Sequence, residues 1–353
     1  MALHRSSGIP EVHLRARLIT FAAAVVFVAA ACGPTGGTAS PGPGSASPSP
    51  AATGESPSPS VAGGSPETST VRLGLLPLAD VAPVYIAIED GLFEDEGLTV
   101  EVEIVQGGAA AIPALVSGDL DVTFGNYVSF FLASSQEVDL RIIAEQNRAT
   151  EGFSRIMTLP DSGIADPAGL VGKRLAVNTL ANVAEITSRA QIKDAGADPD
   201  AVEYVEIPFP DMIAALERGD VDAIFAVEPF ATLAEDQLEA VEIVNPYGGR
   251  LEGFPVAGFQ STTAFAEANP NTIAAFQRVM VAASEDAAGD ADRVVEILPT
   301  YTELTPELAG AISQPLYVSE IDLAELQRVV DLMVEFELLA EAPDLNALVV
   351  PTP

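Results

Sequence analysis

Tryptophan is absent from the 353 residues, cysteine occurs once (Cys32), and histidine twice (His4 and His13). Lysine is nearly as rare, with only Lys173 and Lys193. Both histidines precede Cys32, in a segment with the marks of a removable leader. Basic residues His4, Arg5, Arg15 and Arg17 come first, and the apolar run "LITFAAAVVFVAAA" follows over residues 18–31. The mature chain then holds no histidine, no free thiol and no indole. Ser-His and Cys-His nucleophiles and the usual zinc sites are thereby excluded. Only carboxylates, tyrosines and two lysines remain for acid–base work. The expectation is a protein that is not an enzyme and needs neither cofactor nor metal.

Basic residues are scarce overall, 16 against 51 acidic ones, for a formal charge of −35. Loss of residues 1–31 removes three arginines and one glutamate and takes this to −37. So negative a surface argues against nucleic acid and against docking on anionic lipid headgroups. Long apolar runs are also lacking. The 18–31 run is shorter than the about 20 residues that a spanning helix needs and matches the core of a signal peptide; no second run is long enough.

Three alanines, Ala29, Ala30 and Ala31, stand directly before Cys32. This resembles the lipobox of bacterial lipoproteins, in which the cysteine becomes the acylated N-terminus, although Ala29 stands where that pattern prefers leucine. The alternative is a secreted protein with a spare cysteine. Residues 33–70 are Gly, Pro, Ser, Thr and Ala with almost no bulky side chain. Such a segment cannot bury enough apolar surface to offset its ordering entropy, so a disordered tether of roughly 35 Å is expected. The expected divisions are a signal peptide (1–31), the lipidated cysteine with its tether (32–70), and 283 remaining residues, enough for two domains.

What those residues do contain is one phrase written twice. "ALVSGDLDVTF" (114–124) returns as "ALERGDVDAIF" (215–225), 101 residues later. Each copy reads as a helix end, a left-handed glycine (Gly118, Gly219), a turn and a short buried strand. Asp119, Asp121, Asp220 and Asp222 are turn and cap residues on this reading. Around each copy, strands alternate with helices: "STVRLGLLP", "APVYIAIEDG" and "LTVEVEIVQ" in the first half, "KRLAVNT", "NVAEITSRAQIKDAG" and "VEYVEIP" in the second. That order predicts α/β sheets, mainly parallel, in two similar domains. Ligands of such sheets bind beyond the carboxyl ends of the strands, so two facing domains enclose a cleft.

Strand ends then nominate site residues. They are Asp80 after the first strand, Gly107 and Gly108 after the second, Asn126 and Tyr127 after the first repeat, and Asn147 beside Gln146 and Arg148. In the second half they are Asn178, Thr179, Asn182 and, after the second repeat, Glu228. Glycine at 107 and 108 allows close backbone approach. Arg148 is the one cation among these loops, set against the two carboxylates Asp80 and Glu228. A ligand with both N–H donors and acceptors therefore suits them better than nitrate.

"APVYIAIEDGLFEDEGLTVEVEIVQGGAAAIPALVSGDLDVTFGN", "DPAGLVGKRLAVNT" and "IPFPDMIAALERGDVDAIFAVEPF" resemble, in order, phrases of the nitrate/sulfonate/taurine and thiamine-pyrimidine family of ABC-importer substrate-binding proteins. The resemblance implies the type II periplasmic-binding fold, two α/β domains hinged around a ligand cleft. Domain one would comprise 71–160 and 256–353, and domain two 161–255, with crossings near 159–163 and 249–258. It carries the loop positions above over as ligand contacts and matches the family's Glu-Pro dipeptide to Glu228-Pro229. The first loop departs from the pyrimidine-binding branch, which has Trp and His where this chain has Leu76, Pro77 and Asp80. The function implied is extracytoplasmic and lipid-anchored: a monomer captures a small organic solute, such as a pyrimidine, a vitamin precursor or a taurine-like sulfonate. It passes that solute to a permease and its ATPase, and touches the membrane only through its lipid. A ligand-sensing lipoprotein uncoupled from import and a carboxylate-based hydrolase are the alternatives.

Overall fold

The computed structural model describes residues 64–353. The expected leader, Cys32 and most of the expected tether lie outside them. In chain order, β1 (Thr70–Leu75), α1 (Ala82–Glu89), α2 (Leu92–Asp95), β2 (Thr99–Ile104) and α3 (Gly108–Ser117) open the fold. Next come β3 (Val122–Asn126), α4 (Tyr127–Ser135) and β4 (Leu140–Arg148). A second run holds β5 (Ser154–Thr158), β6 (Arg174–Val177), α5 (Val183–Asp194), β7 (Glu203–Glu206) and α6 (Phe209–Glu217). It ends with β8 (Ala223–Val227), α7 (Phe230–Leu238) and β9 (Val241–Val244). The chain returns in β10 (Pro255–Thr262) and finishes with α8 (Thr263–Ala268), α9 (Pro270–Gly289), α10 (Ala291–Ile297), α11 (Pro306–Ala309), β11 (Leu316–Tyr317), α12 (Leu323–Glu335) and α13 (Leu345–Leu348).

These strands form two sheets, ordered β11-β4-β10-β3-β1-β2 and β7-β6-β8-β5-β9. Each is mixed. β1 pairs parallel with β2 and β3, while β10 runs antiparallel between β3 and β4. In the second sheet β6 pairs parallel with β7 and β8, and β5 runs antiparallel between β8 and β9. Most strands share one direction, as the alternating pattern predicts. The reversed inner strand of each sheet is the first one laid down after the chain changes lobe.

Two expected boundaries move. The crossing into the second lobe falls between Arg148 and Ser154, ahead of 159–163, because "SRIMT" already pairs with β8. The Leu-Pro-Asp-Ser-Gly stretch that suggested a crossing only ends that strand. The return runs between Val244 and Pro255, overlapping the expected 249–258. The ordered fold also starts before residue 71. Thr70 opens β1, and the Glu67 carboxylate accepts the backbone N–H groups of Asn271 (3.0 Å) and Thr272 (3.0 Å) at the start of α9. Averaged composition hid a single capping glutamate.

The repeated phrase acquires a physical meaning here. Asp121 and Asp222 sit at equivalent points, just before β3 and β8. The Asp121 carboxylate accepts the backbone N–H of Arg72 (2.9 Å) and its guanidinium (2.6 and 3.0 Å). Asp222 accepts the backbone N–H of Arg174 (2.8 Å) and its guanidinium (3.3 Å). In return the Arg72 and Arg174 carbonyls accept the N–H groups of Asp121 and Asp222. Each aspartate thus locks the entry of a central strand to that of its parallel neighbour, below Gly118 (φ 78°) and Gly219 (φ 72°), whose left-handed backbone ends the preceding helix. The core of the first lobe is an aromatic chain in which Phe259 contacts Phe124 and Phe276, and Phe276 contacts Phe93.

The two locks differ in burial, since the Asp121 side chain is 8% exposed and that of Asp222 32%. Asp121→Ala strands a guanidinium and a strand N–H together and is expected to cost about 2–4 kcal/mol. Asp222→Ala, better hydrated, should cost about 1 kcal/mol. Urea unfolding of the two variants checks the ranking.

Candidate functional site

A cavity lies between the lobes at the carboxyl ends of β1, β3, β6 and β8, where fold logic puts ligands of such sheets. Of the sequence-nominated residues, Asp80, Gly108, Asn126 and Asn178 line it together. Apolar walls come from Leu76, Leu78, Phe124, Phe209, Phe225 and Val227. The return segment adds Tyr247, Val256 and Ala257. Among the described residues, no lysine or arginine lines it.

Asp80 is the polar focus. It belongs to a short 3-10 turn, Ala79–Val81, and is 2% exposed. Its Oδ1 accepts the amide of Asn147 (3.1 Å), whereas its Oδ2 has no partner. The turn is held from all sides. Gln146 donates its amide to the Asp80 carbonyl (3.0 Å), Tyr301 its hydroxyl to the Leu78 carbonyl (3.1 Å), and Tyr317 its hydroxyl to the Ala79 carbonyl (2.8 Å). The Ala79 N–H reaches the other lobe and donates to the Glu228 carbonyl (3.0 Å). Burial pushes the Asp80 carboxyl up to about 7, against the smaller opposing pull of its own backbone and Asn147.

Helix starts converge on the same space. Gly108 is the first residue of α3, whose N-cap, Gly107, offers no side chain to the free amides of the first turn. A Cβ on Gly108 would sit 2.6 Å from the Gly125 Cα, so this corner admits only glycine. A Cβ on Gly107 would lie 3.3 Å from Thr179 Oγ1 and 3.6 Å from Asn178 Nδ2, which puts the two lobes face to face here. Asn126 caps α4 through the Ser129 N–H (2.9 Å), and Asn182 caps α5 through the Ala184 N–H (3.0 Å).

Other nominated residues stand behind the wall. Asn147 positions Asp80, and Asn182 donates its amide to Asn178 Oδ1 (2.8 Å). Tyr127 is fully buried and does not line the cavity; its hydroxyl packs under β10, where a Cβ on Gly258 would come within 2.5 Å of it. Glu228 is likewise a structural residue in this arrangement. It is fully buried, ion-paired with Arg155 (2.9 Å) and bonded to the Thr232 N–H (3.1 Å) and hydroxyl (3.0 Å) at the start of α7. Burial raises its pKa while Arg155 opposes the rise. Arg148, the expected loop cation, is taken up by Glu145 (3.0 Å). Sequence reasoning missed Tyr247, which packs on Phe225 and Phe254. An aromatic within "NPYGG" was the available signal.

Among the described residues, no cluster of three or more His, Cys, Asp or Glu could hold a metal ion, and no helix is long and apolar enough to cross a membrane. Two sheets, each carrying the same reversed-strand order, around a cavity at their strand ends define the class: a two-lobed periplasmic-binding-protein fold. The family model described as NMT1/THI5 like matches residues 79–293, and the chain belongs to that family. It is 29% identical over 216 residues to the taurine-binding periplasmic protein of Escherichia coli, covering 60% of this chain and 64% of that protein. Identity to the formylaminopyrimidine-binding protein of Halalkalibacterium halodurans is 23% over 236 residues, 66% of this chain and 70% of that protein. The matched region of the E. coli relative therefore falls just short of two thirds of its length. The alkanesulfonate-binding protein SsuA from Xanthomonas axonopodis pv. citri, bound to MOPS, superposes with a TM-score of 0.70 at 18% identity, covering 81% of this chain and 99% of that one. This last likeness concerns the fold.

The raised Asp80 pKa gives a signed prediction. A carboxyl whose pKa is higher in the folded state contributes stability below its unfolded pKa of about 4, and that contribution is lost as pH rises through about 7. At pH 8 the buried charge works against the fold. Asp80→Asn, which keeps the shape, should raise the melting temperature by several degrees at pH 8 and change it little at pH 5. Calorimetry at the two pH values is the check.

Proposed function

We propose that the protein is the extracytoplasmic substrate-binding component of an ABC importer. It captures a small organic solute between its lobes and passes it to a permease and its ATPase. The observation that carries this reading is the interlobe cavity, with a buried, half-satisfied carboxylate on one side and uncapped backbone amides of a helix start on the other. Two relatives support it, the taurine-binding protein of Escherichia coli and the formylaminopyrimidine-binding protein of Halalkalibacterium halodurans. Capture without chemistry is the natural use of such a site. Asp80 is the one ionisable carboxylate in the wall, and neither lysine nor arginine stands there to assist it. Membrane attachment would run through a lipid on Cys32, and the monomer would be the working unit.

Thermal denaturation against aminopyrimidine thiamine precursors, taurine, alkanesulfonates and nitrate tests the reading. Ligand at 100 times its Kd adds about 2.7 kcal/mol of stability. One chemical class should therefore raise the melting temperature by several degrees. No shift with any of them, in protein shown by native mass spectrometry to carry no retained solute, would count against a receptor for this ligand group. Cys32→Ser should move the protein from the membrane fraction to the soluble one; unchanged membrane retention would remove the lipid from the proposal.

A further inference from the structure

We propose that Lys193, Asp194, Arg250 and Glu335 form a latch outside the cleft, which holds the lobes closed across a pivot at Gly248-Gly249. The latch acts whichever solute enters, so the receptor function proposed above does not stand or fall with it.

Closure is the state that has to be held. Every residue lining the interlobe cavity except Asn126 is buried, and the space open to the centre of a water molecule is about 40 Å³. At about 10–15 Å³ for each water, that admits roughly three, so a solute enters only when the lobes part. The chain crosses between the lobes twice, at 149–153 and at 245–254. The crossings run side by side, the Ala149 N–H donating to the Phe254 carbonyl (2.9 Å). Any parting of the lobes turns on these two segments.

The second crossing is gripped from both sides. From the second lobe, the Gln191 amide in α5 donates to the carbonyls of Pro246 (3.2 Å) and Gly248 (3.1 Å). From the first, the Arg328 guanidinium in α12 donates to the carbonyls of Glu252 (2.9 Å) and Arg250 (3.3 Å), and lies 5.8 Å from the centre of the Phe254 ring. Residues up to Gly248 thus move with the second lobe, and those from Arg250 onward with the first. Between them stands Gly249, left-handed (φ 60°), where a Cβ would meet nothing within 4 Å. Its dihedrals can change without hindrance from a side chain, which puts the pivot at Gly248-Gly249.

Four charges span that pivot. Lys193 and Asp194 end α5 in the second lobe, while Arg250 and Glu335 go with α12, which packs on α4 and β10 of the first. Glu335 lies seven residues after Arg328, on the same helix face and about 10 Å along the axis. It accepts both Arg250 (2.6 and 3.1 Å) and Lys193 (3.0 Å), and Arg250 also pairs with Asp194 (2.9 Å). The next residue, Phe336, lies beneath the Lys193 (5.1 Å) and Arg189 (5.8 Å) cations of α5. Two ion pairs, Lys193–Glu335 and Arg250–Asp194, therefore cross from lobe to lobe and break when the pivot turns. A groove of about 210 Å³ remains beside them, lined by Glu185, Ile186, Arg189, Phe336 and Leu338. The lobes meet here through long, partly exposed side chains and not through packed core, so the contact can open and close reversibly.

Lobe separation can be read directly, without a solute. Spin labels go on Ile104→Cys and Leu180→Cys, exposed positions near Gly107 and Thr179 on facing lobes, in a chain that also carries Cys32→Ser. Electron paramagnetic resonance of the unmodified latch at low salt should give one short distance. Glu335→Gln should populate a second, longer distance, raising the open-to-closed ratio roughly three- to tenfold for the loss of two partly exposed ion pairs. Salt at about 0.5 M should act likewise on the unmodified latch, whose charges lie within reach of screening ions, and add little to the variant. Asp331→Asn, at an exposed α12 residue bonded to Gln327, is the charge control and should stay closed. A long distance in the unmodified latch at low salt, an unchanged distribution in Glu335→Gln, or equal opening by Asp331→Asn overturns the latch. Where Glu335→Gln folds poorly, the salt series on the unmodified latch decides, and no opening at high salt overturns it.

Discussion

A carboxylate buried without a countercharge sets the terms for the rest of the molecule. Left to itself, Asp80 would recruit water, take up a proton or distort the turn that carries it. The fold prevents the last. Two tyrosine hydroxyls and two amide side chains donate to the turn, and its own Ala79 N–H donates to the Glu228 carbonyl of the opposite lobe. These supports come from β4, from the C-terminal tail and from Glu228 just after β8, so both lobes and the tail must be folded before this one side chain is placed.

The scarcity of cations matters for the same reason. Arg72 and Arg174 lock strand entries, Arg155 holds Glu228, Arg148 holds Glu145, and Arg250 with Lys193 engages Glu335 at the end of α12. In a chain so rich in acid, every described arginine, and Lys193, finds a carboxylate close by. The exposed pairs contribute little singly, but among the described residues no positive side chain lines the cleft. The electrostatic character of the cleft is therefore set by one aspartate and by backbone amides.

Much of this was legible in the sequence. The duplicated phrase announced two equivalent lobes, because helix end, left-handed glycine and buried strand leave a local pattern. Asp80 was legible as the only charge in the loop after the first strand, and Gly107-Gly108 as a place where backbone must come close. Tyr127 and Glu228 stand off the cavity lining because position along a strand does not say which way a side chain turns: Tyr127 goes under β10, and Glu228 goes to Arg155, 73 residues away. Tyr247 was missed because it joins the wall through a return segment with no periodicity. The crossing at 149–153 was hidden because glycine and proline marked the end of β5 and not its beginning.

The reversed strands carry a consequence for the order in which the molecule can be assembled. All strands of the second lobe lie between Ser154 and Val244, so that lobe is complete in itself once those residues are available. The first lobe is not. β3 and β4 have no link until β10 (Pro255–Thr262) slips between them, more than a hundred residues after β4 ends. During synthesis or refolding the first lobe therefore waits, two strand edges bare, for the other to finish. Long-range closure of this kind is slow and exposes pairing edges to other chains. The strand that follows the return between the lobes is thus also the piece that closes the first lobe's sheet, and only the short edge strand β11 is added after it.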